Sequence, residues 1–350
     1  MQLIIIGPYL FTIFVLYLIP LGMYSPCIRE EGTLGPKPAL IGHRGEPMLA
    51  PENTEMSFQK AIENGAVGLE TDVRISSDGV PFLMHDNTLK RTTNVDEVYP
   101  EASSVHASFF SWADLKVLNA GKWFLKVRLD KPFLQMDTLS RADQILAMNQ
   151  SIFKLSNFLR LANRENKLVI FDLYRPPEKH PYRNKWLNRI LDVIVKESRI
   201  NPHLVLWLPD DKRSFVETVA PGFQHTSRHK APVETFLKFN IVKLNLPYPE
   251  MSNGFTLVSR RYAKANITTN YYVISEPWLF SLAWCAGAHS VTTNAVHRLK
   301  ELNLPVFLMT PKDYRIMWIL TDAISVLLIS CIFTFHWIEL PATFGRFFFT

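Results

Sequence analysis

Residues 39–86 read ALIGHRGEPMLAPENTEMSFQKAIENGAVGLETDVRISSDGVPFLMHD. This stretch contains three short apolar runs that each end in ionisable residues: Ala39–Ile41 before His43-Arg44, Val67–Leu69 before Glu70 and Asp72, and Val80–Met84 before His85-Asp86. Between the first two runs, Thr54–Glu63 has amphipathic helical spacing and Asn53 or Thr54 as its N-cap. The pattern predicts a strand, a helix and two further strands. Because parallel strands present their carboxyl ends on one face, we expect these polar side chains to converge.

Glu70 and Asp72 are the first metal-ligand candidates. They are two residues apart, so on a strand both side chains project to the same face and their carboxylates repel each other. A hard divalent cation such as Mg²⁺ or Ca²⁺ would relieve that repulsion. The alternative is an ordinary solvated acidic pair, which is the better interpretation of either residue taken alone.

The other ionisable residues of the stretch suit phosphate chemistry. His43 and His85 could serve as general base and general acid, and Arg44 carries a fork suited to phosphate oxygens. Glu52 and Asn53 either brace the metal ligands or only cap the helix. Metal, acid, base and arginine together indicate metal-assisted phosphoester cleavage. The alternative of two core histidines is disfavoured by the joint pattern.

Beyond residue 151, helix-like segments such as Leu155–Asn163, Lys185–Lys196 and Gly254–Ala265 alternate with strand-like runs. The predicted strands are Leu168–Leu173, Leu204–Leu208, Phe223–Thr226, Ile241–Leu246, Tyr271–Ser275 and Ser290–Thr293. With the first three runs, about eight or nine strands result, which suits an α/β fold of the closed (β/α)8 TIM barrel type. Strand ends also offer Lys243, Glu276 and Asn294, which we expect to be structural rather than catalytic.

Residues 87–151 lack this alternation and are predicted to form an insertion after the third strand. In a barrel, an excursion at that point lies over the mouth and shapes substrate access. Its aromatic residues could meet a lipid or form a small core of their own, and we expect the core. They are Phe109, Phe110, Trp112, Trp123 and Phe124.

Both ends of the chain are apolar. Leu3–Met23 is long enough to span a bilayer and lacks the positive start and the cleavage site of a signal peptide. Ile316–Ile338 is the second expected span, with Trp318 and Trp337 near its two ends. The predicted organisation is a transmembrane helix at 1–24, a linker at 25–38, the barrel at 39–312, a transmembrane helix at 316–338 and a short tail at 339–350.

Two spans would place the whole middle of the chain on one side of the membrane. The sequons that begin at Asn149 and Asn266 favour an extracellular or lumenal side. Cys27 and Cys285 could pair there, although we expect Cys285 to be a small buried apolar residue. The formal net charge of +6 is too small, and its basic residues too scattered, to favour a nucleic-acid partner.

Several spaced motifs carry a family resemblance. They are His43-Arg44-Gly45, Pro51-Glu52-Asn53-Thr54, Glu70-Thr71-Asp72, His85-Asp86, Thr88-Leu89, Arg91-Thr92-Thr93, Ala286-Gly287-Ala288 and Val291-Thr292-Thr293-Asn294. In this order they resemble the glycerophosphodiester phosphodiesterase family over about residues 38–310. The segment EPWLFSLAWCAG (residues 276–287), which precedes VTTN (residues 291–294), is most similar to the multi-pass membrane branch of that family.

The resemblance adds a third metal ligand. The third ligand falls at Asp172. At this position the family commonly has a Glu, followed two residues later by a Lys, whereas this chain has Asp172 and Tyr174. Arg175 is the candidate to replace the missing lysine charge. The resemblance also implies the insertion and a catalytic domain outside the cell. That branch usually has more spans ahead of the domain, so this chain resembles a short form or a fragment.

The expected function is metal-dependent hydrolysis of a phosphodiester at the outer membrane face. Glu70, Asp72 and Asp172 would hold Mg²⁺ or Ca²⁺ while His43, His85 and Arg44 act on the substrate. Substrate candidates are glycerophosphodiesters, including glycerophosphoinositol-type head groups, lysophospholipids and a glycolipid anchor, with phospholipase C- and D-type bond choices both open. The alternative function is a catalytically idle barrel that serves as an interaction or adhesion module.

Overall fold

The computed structural model describes residues 2–23, 25–127, 138–210, 212–251 and 261–347. The chain divides into two compact units. One contains Met1–Leu34 and Phe307–Thr350, and the other is Gly35–Val306. The second unit holds the sheet and every residue predicted to take part in the site.

The second unit is built on a closed barrel. The strands are β1 (Ala39–His43), β2 (Gly68–Ile75), β3 (Pro81–Leu83), β4 (Leu168–Leu173), β5 (Val205–Trp207), β6 (Gln224–Ser227), β7 (Ile241–Pro247), β8 (Thr268–Tyr272) and β9 (Ser290–Thr293). Around the ring, β1, β2 and β4 to β9 pair in parallel, and β1 bonds to both β2 and β9, which closes the barrel. The structure therefore confirms the predicted (β/α)8 TIM barrel.

The third predicted strand is not a member of the ring. β3 pairs antiparallel with the end of β2, so that Val73 lies opposite Leu83 and Ile75 opposite Pro81. The turn at Ser76–Val80 is closed by the hydrogen bond from the Ser76 N–H to the Val80 carbonyl oxygen (3.0 Å). The expectation that all three runs are parallel was wrong, because this hairpin turn is too short for a parallel crossover.

Helices alternate with the strands beyond residue 151 as predicted, and further short helices, which the sequence did not predict, lie within residues 87–151. The helices are α1 (Gln2–Gly22), α2 (Glu55–Glu63), α3 (Val95–Val98), α4 (Trp112–Leu115), α5 (Lys122–Val127), α6 (Arg141–Met148), α7 (Leu155–Arg164), α8 (Trp186–Asp192), α9 (Arg213–Val219), α10 (Val233–Lys238), α11 (Pro277–Cys285), α12 (Val296–Leu299) and α13 (Pro311–Phe347). Short 3₁₀ turns cover Pro100–Ala102, Ala107–Phe109, Pro202–Leu204 and Tyr248–Met251, and a π-helix covers Val193–Ser198. Most of the predicted helix Gly254–Ala265 lies outside the described residues.

Helix α2 begins where the sequence predicts. The Thr54 hydroxyl accepts a hydrogen bond from the Ser57 N–H, which satisfies one of the free donors at the helix start. The buried face of the helix presents Met56, Phe58 and Ala61. Phe58 lies against Phe158 of α7, with ring centroids 4.5 Å apart. This packing fixes the segment between β1 and β2 against the outside of the barrel.

The barrel interior has an apolar part and a polar part. Ile41, Ile170, Leu206 and Leu208 form an apolar cluster contributed by β1, β4, β5 and the residue after β5. In the polar part, the Asn270 side chain donates to Oδ1 of Asn245 (2.6 Å) and to Oγ1 of Thr292 (2.8 Å), and it accepts from the Ser290 hydroxyl (2.8 Å). These buried polar groups therefore satisfy one another.

The insertion has a core of its own, built on β3. Phe82 and Met84 pack with Leu89, Val95, Ala107, Phe110, Leu115 and Leu118, and Trp112 covers this cluster. Phe124 and Trp123 join a second cluster with Met56. The predicted core of the insertion is thus confirmed for Phe110 and Trp112. Trp123 and Phe124 pack in a cluster shared with residues outside the insertion, and Phe109 is 40% exposed. Residues 128–137 of the insertion lie outside the described residues.

The other unit pairs the two terminal helices. The Tyr314 hydroxyl donates to the Pro20 carbonyl oxygen (2.8 Å), and Ile28 forms a parallel bridge with Met309. Pro311–Ile338 is long and apolar enough to cross a membrane. The second predicted span therefore falls within a suitable helix.

The cysteines differ from the sequence prediction. Cys27 and Cys285 are both disulfide-bonded, whereas Cys331 has a free, exposed thiol. The expectation that Cys285 is only a small buried apolar residue was wrong, because burial alone does not distinguish a thiol from half of a disulfide. A disulfide and an apolar C-terminal helix indicate a membrane or secretory protein.

Gly45 allows the chain to turn sharply after β1, and we expect Gly45→Ala to destabilise the barrel unit. The backbone φ at Gly45 is 89°, and an added Cβ would lie 2.5 Å from the carbonyl carbon of Ser57 in α2. Overpacking of this kind costs on the order of 1–3 kcal/mol. Thermal unfolding of the full chain in detergent should show the loss. The matched control is Gly35→Ala, which meets no heavy atom within 4 Å. Equal melting temperatures of the two variants would contradict this account.

Candidate active site

Three carboxylates meet where β2 runs beside the carboxyl end of β4. Asp72 pairs in register with Asp172, and Glu70 precedes Asp72 by two residues on the same face. One oxygen from each of Glu70, Asp72 and Asp172 lies within 4.8 Å of the other two. We call these residues the carboxylate cluster.

Each member of the cluster is held by a different donor. Glu70 accepts from the backbone N–H of Arg44 (2.9 Å). Asp72 accepts from the Asn53 amide (3.0 Å) and the Tyr174 hydroxyl (3.1 Å). Asp172 pairs with the guanidinium of Arg228. Tyr174, at the position where the resembled family commonly has lysine, thus serves as a neutral donor to the cluster.

The electrostatics of the cluster favour a cation. Burial, together with the charges of Asp72 and Asp172, raises the pKa of Glu70 well above its ordinary value. Burial and the neighbouring Asp72 also raise the pKa of Asp172, although Arg228 opposes that shift. Ionised oxygens placed so closely repel one another, and a hard divalent cation would relieve that repulsion. The cluster could therefore hold Mg²⁺ or Ca²⁺.

Arg44 is bound tightly among acidic groups. Its φ of 54° is left-handed, and its carbonyl oxygen accepts from the Ser57 hydroxyl (2.9 Å). Its guanidinium donates to Glu52 (3.0 Å), and its Nε lies 3.1 Å from Oδ2 of Asp72. Arg44 therefore connects the cluster to Glu52, and much of its charge is already matched by carboxylates.

His43 is fixed by a residue that follows the last barrel strand. Its Nδ1 lies 2.6 Å from Oδ1 of Asn294, which follows β9. An amide oxygen can only accept, so Nδ1 carries the proton and Nε2 has the lone pair in the neutral ring. Nε2 lies 3.8 Å from Oε2 of Glu70. Burial and the charge of Arg44 lower the pKa of His43, which favours the neutral form.

His85 follows β3, and its ring lies edge-on to that of Tyr174, with centroids 6.3 Å apart. Its Nδ1 is 2.8 Å from Oδ1 of Asp86, and its side chain is 39% exposed. Its carbonyl oxygen accepts from Arg74 (2.5 Å), whose guanidinium stacks 4.3 Å from the centroid of the Tyr174 ring. Asp86 therefore holds Nδ1 and leaves Nε2 for proton transfer.

Arg91 was not among the predicted site residues. It donates to Asp86 through Nε and Nη2 (2.7 and 2.9 Å) and to Glu52 through Nη1 and Nη2 (2.8 and 2.7 Å). Its hydrogen bonds lower the pKa of Asp86, so that Asp86 stays ionised beside His85. Although burial opposes the shift, Arg91 and Arg44 also lower the pKa of Glu52. A continuous series of ion pairs thus runs from Arg44 through Glu52, Arg91 and Asp86 to His85.

A small cavity of about 50 Å³ opens beside the cluster. It is lined by His43, Glu70, Ile170, Asp172, Leu208, Arg228, Asn245, Tyr272 and Thr292. Arg228 was also missed by the sequence analysis, because it follows β6 and belongs to no motif that we recognised. The cavity brings one of the two histidines, two of the three carboxylates and a further arginine to one place.

Some of the remaining predicted residues contact the site and others lie away from it. Glu52, Asn53 and Asn294 contact residues of the site, as described above. Arg175 is exposed and is not among the residues that line the cavity in the described part of the chain. Lys243 is buried within the barrel, where its Nζ lies 3.4 Å from the Ser290 hydroxyl and burial lowers its pKa to about 8. The sequon residues Asn149 and Asn266 are both exposed.

Solved structures share the fold. A phosphodiesterase from Oleispira antarctica, solved in complex with the product sn-glycerol-3-phosphate, matches with a TM-score of 0.57 and 18% identity over 75% of this chain and 95% of that chain. A glycerophosphodiester phosphodiesterase from Agrobacterium tumefaciens matches with a TM-score of 0.55 and 19% identity over 76% of this chain and 100% of that chain. At these identities the likeness concerns the fold alone.

Curated relatives are much more similar in sequence. The chain is 53% identical over 331 residues to glycerophosphodiester phosphodiesterase domain-containing protein 4 of Macaca fascicularis, with 94% of this chain and 52% of the relative covered. It is 46% identical over 321 residues to mouse glycerophosphoinositol inositolphosphodiesterase GDPD2, with 91% and 58% covered. The chain thus spans about half the length of the curated relatives it matches.

Most of the chain matches the sequence model of one protein family. The model described as the glycerophosphoryl diester phosphodiesterase family matches residues 43–330, which include both histidines and the carboxylate cluster. By this match and by its identity to the curated relatives, the chain belongs to the glycerophosphoryl diester phosphodiesterase family.

Proposed function

We propose that this protein is a metal-dependent phosphodiester hydrolase that acts on glycerophosphodiesters or on related lysophospholipid or glycolipid-anchor head groups. The observation that carries the proposal is the carboxylate cluster, with His43 and His85 each held through Nδ1. Mouse GDPD2, whose name specifies glycerophosphoinositol, adds inositol-bearing diesters to the substrate candidates. An idle barrel would have no need for two histidines oriented in this way.

Glu70, Asp72 and Asp172 would hold the divalent cation. Bound there, such an ion supplies Lewis acidity, which polarises a phosphodiester oxygen and stabilises the charge that develops on it. Oxygen donors are the ligands that Mg²⁺ and Ca²⁺ prefer, and the repulsion within the cluster favours binding of either ion. Asn53 and Tyr174 orient Asp72 for this role through the hydrogen bonds described above.

His43 and His85 divide the proton transfers. One accepts the proton of the attacking hydroxyl, from water or from the substrate itself, and the other protonates the leaving alcohol. Both rings present Nε2 for this purpose, since Asn294 and Asp86 occupy the Nδ1 positions. Arg44 orients the phosphate from the edge of the cluster.

The proposed location is a membrane, with the barrel on the extracellular or lumenal side and two or more spans. The apolar helix Pro311–Ile338, the disulfide-bonded Cys27 and Cys285, and the exposed sequon residues Asn149 and Asn266 support it. The substrate would then be a head group at the outer membrane face.

Removal of either histidine tests the assignment directly. We expect His43→Ala and His85→Ala each to lower kcat by about 10²–10⁴-fold, the usual contribution of a positioned acid or base. The measurement is hydrolysis of a panel of glycerophosphodiesters and lysolipids by the full chain in detergent, with a chelator control. His203→Ala is the matched control, because His203 lies in an exposed turn away from the cavity. Full activity of both site variants, or an inactive unmodified chain, would refute the proposal.

Cation binding can be measured without any substrate. We expect Mg²⁺ or Ca²⁺ to raise the melting temperature, since a ligand at 100 times its Kd adds about 2.7 kcal/mol to the free energy of unfolding. Asp72→Asn should abolish most of that increase. Asp192→Asn, in the exposed ion pair with Lys196, should retain it. An equal increase in both variants would place the cation elsewhere.

Arg91→Lys tests the series of ion pairs behind His85. Lysine keeps the charge, but it lacks the planar guanidinium that donates hydrogen bonds to Asp86 and Glu52 at the same time. We expect kcat to fall about tenfold or more, with a smaller change in KM, because His85 loses its orientation but the substrate contacts remain. Arg164→Lys, in a surface pair with Glu165, is the matched control. Unchanged kcat in Arg91→Lys would show that Arg91 has no positioning role.

A further inference from the structure

Arg228 reaches the site from a strand that is not adjacent to β4. It follows β6, and β5 lies between β6 and β4 in the ring, yet its guanidinium pairs with Asp172 at the end of β4. The same side chain lines the cavity together with His43 and Glu70. A positively charged side chain therefore lines the same cavity as the histidine and pairs with a member of the carboxylate cluster.

The two arginines of the site differ in how fully they are engaged. Arg44 contacts Glu52 and Asp72 through its guanidinium and Glu70 through its backbone, and its side chain is 18% exposed. The Arg228 side chain is 42% exposed, and the described ion pair uses Nη2 alone. A guanidinium has several N–H donors in one plane, so Arg228 has donors to offer an oxyanion in the cavity.

Asp172 presents one carboxylate to two kinds of cation. In the structure it is neutralised by Arg228, yet its position in the cluster also makes it a ligand for a divalent ion. The negative carboxylate cannot hold both cations equally well, because each reduces the field that attracts the other. A divalent ion at the cluster would therefore weaken the pairing between Arg228 and Asp172.

We propose that Arg228 binds the phosphate of the substrate and that it exchanges Asp172 for the phosphate oxygens when a divalent cation occupies the cluster. The inference rests on the proposed function. A planar fork can donate two parallel hydrogen bonds to two phosphate oxygens, which selects a phosphate-bearing ligand. Arg228 thereby supplies a phosphate-facing charge that Tyr174 does not, since Tyr174 is neutral and its hydroxyl donates to Asp72.

The exchange predicts two opposite effects of one substitution. In Arg228→Gln the competitor for Asp172 is gone, so the divalent cation should bind more tightly, by about threefold or more. The charge-assisted bonds to phosphate are also gone, so KM for the diester and the inhibition constant for inorganic phosphate should rise by about 10- to 100-fold. A residue that only supported the fold would weaken both kinds of binding together.

The experiment uses the full chain in detergent. Cation affinity is measured by the increase in melting temperature during a Mg²⁺ titration, and phosphate affinity by the further increase on adding inorganic phosphate at saturating Mg²⁺. Arg228→Lys, which keeps the charge without the fork, should recover part of the phosphate affinity. Arg164→Gln is the control for removal of an arginine from a surface ion pair.

The proposal requires both changes. Unaltered phosphate affinity in Arg228→Gln, or unaltered or weaker Mg²⁺ affinity, would overturn it. The two thermal titrations need no turnover. If the unmodified chain hydrolyses no diester, the proposed function fails, yet the titrations still decide whether Arg228 exchanges Asp172 for phosphate.

Discussion

The mutual repulsion of three carboxylates on β2 and β4 governs the site. The parallel register that places Asp72 beside Asp172 creates the repulsion, and the groups around the cluster counter it. Arg44 and Arg228 supply positive charge, while Asn53 and Tyr174 donate hydrogen bonds. These groups approach from the loop after β1 and from the ends of β4 and β6, so the site exists only once the barrel has closed.

Local sequence patterns predicted what depends on local geometry. The two-residue spacing of Glu70 and Asp72 places both on one face of a strand, and the apolar runs located each barrel strand to within a few residues. The direction of β3 could not be read from its apolar run, since the same residues suit a parallel or an antiparallel strand. The turn at Ser76–Val80, with Asp78 and Gly79 within it, was the signal that would have indicated a hairpin.

The contacts that the sequence analysis missed are made across long separations. Arg91 is joined to Glu52 over 39 positions and Arg228 to Asp172 over 56, and no periodicity relates such pairs. Tyr174 was noted only as a departure from lysine, although its hydroxyl bonds to Asp72. The polar part of the barrel interior was equally hidden, because Asn245 and Asn270 lie in strands that otherwise resemble ordinary buried ones.

The double engagement of Arg91 has an evolutionary consequence. Through its ion pairs with Glu52 and Asp86, Arg91 connects the segment that carries Arg44 to the segment that carries His85. A substitution in one segment therefore changes the energetic effect of a substitution in the other. Descendants of this sequence should therefore replace Glu52, Asp86 and Arg91 in concert or leave all of them unchanged. Single replacements would interrupt the series of ion pairs and loosen the groups on either side, and selection would remove them even though none of the three belongs to the carboxylate cluster.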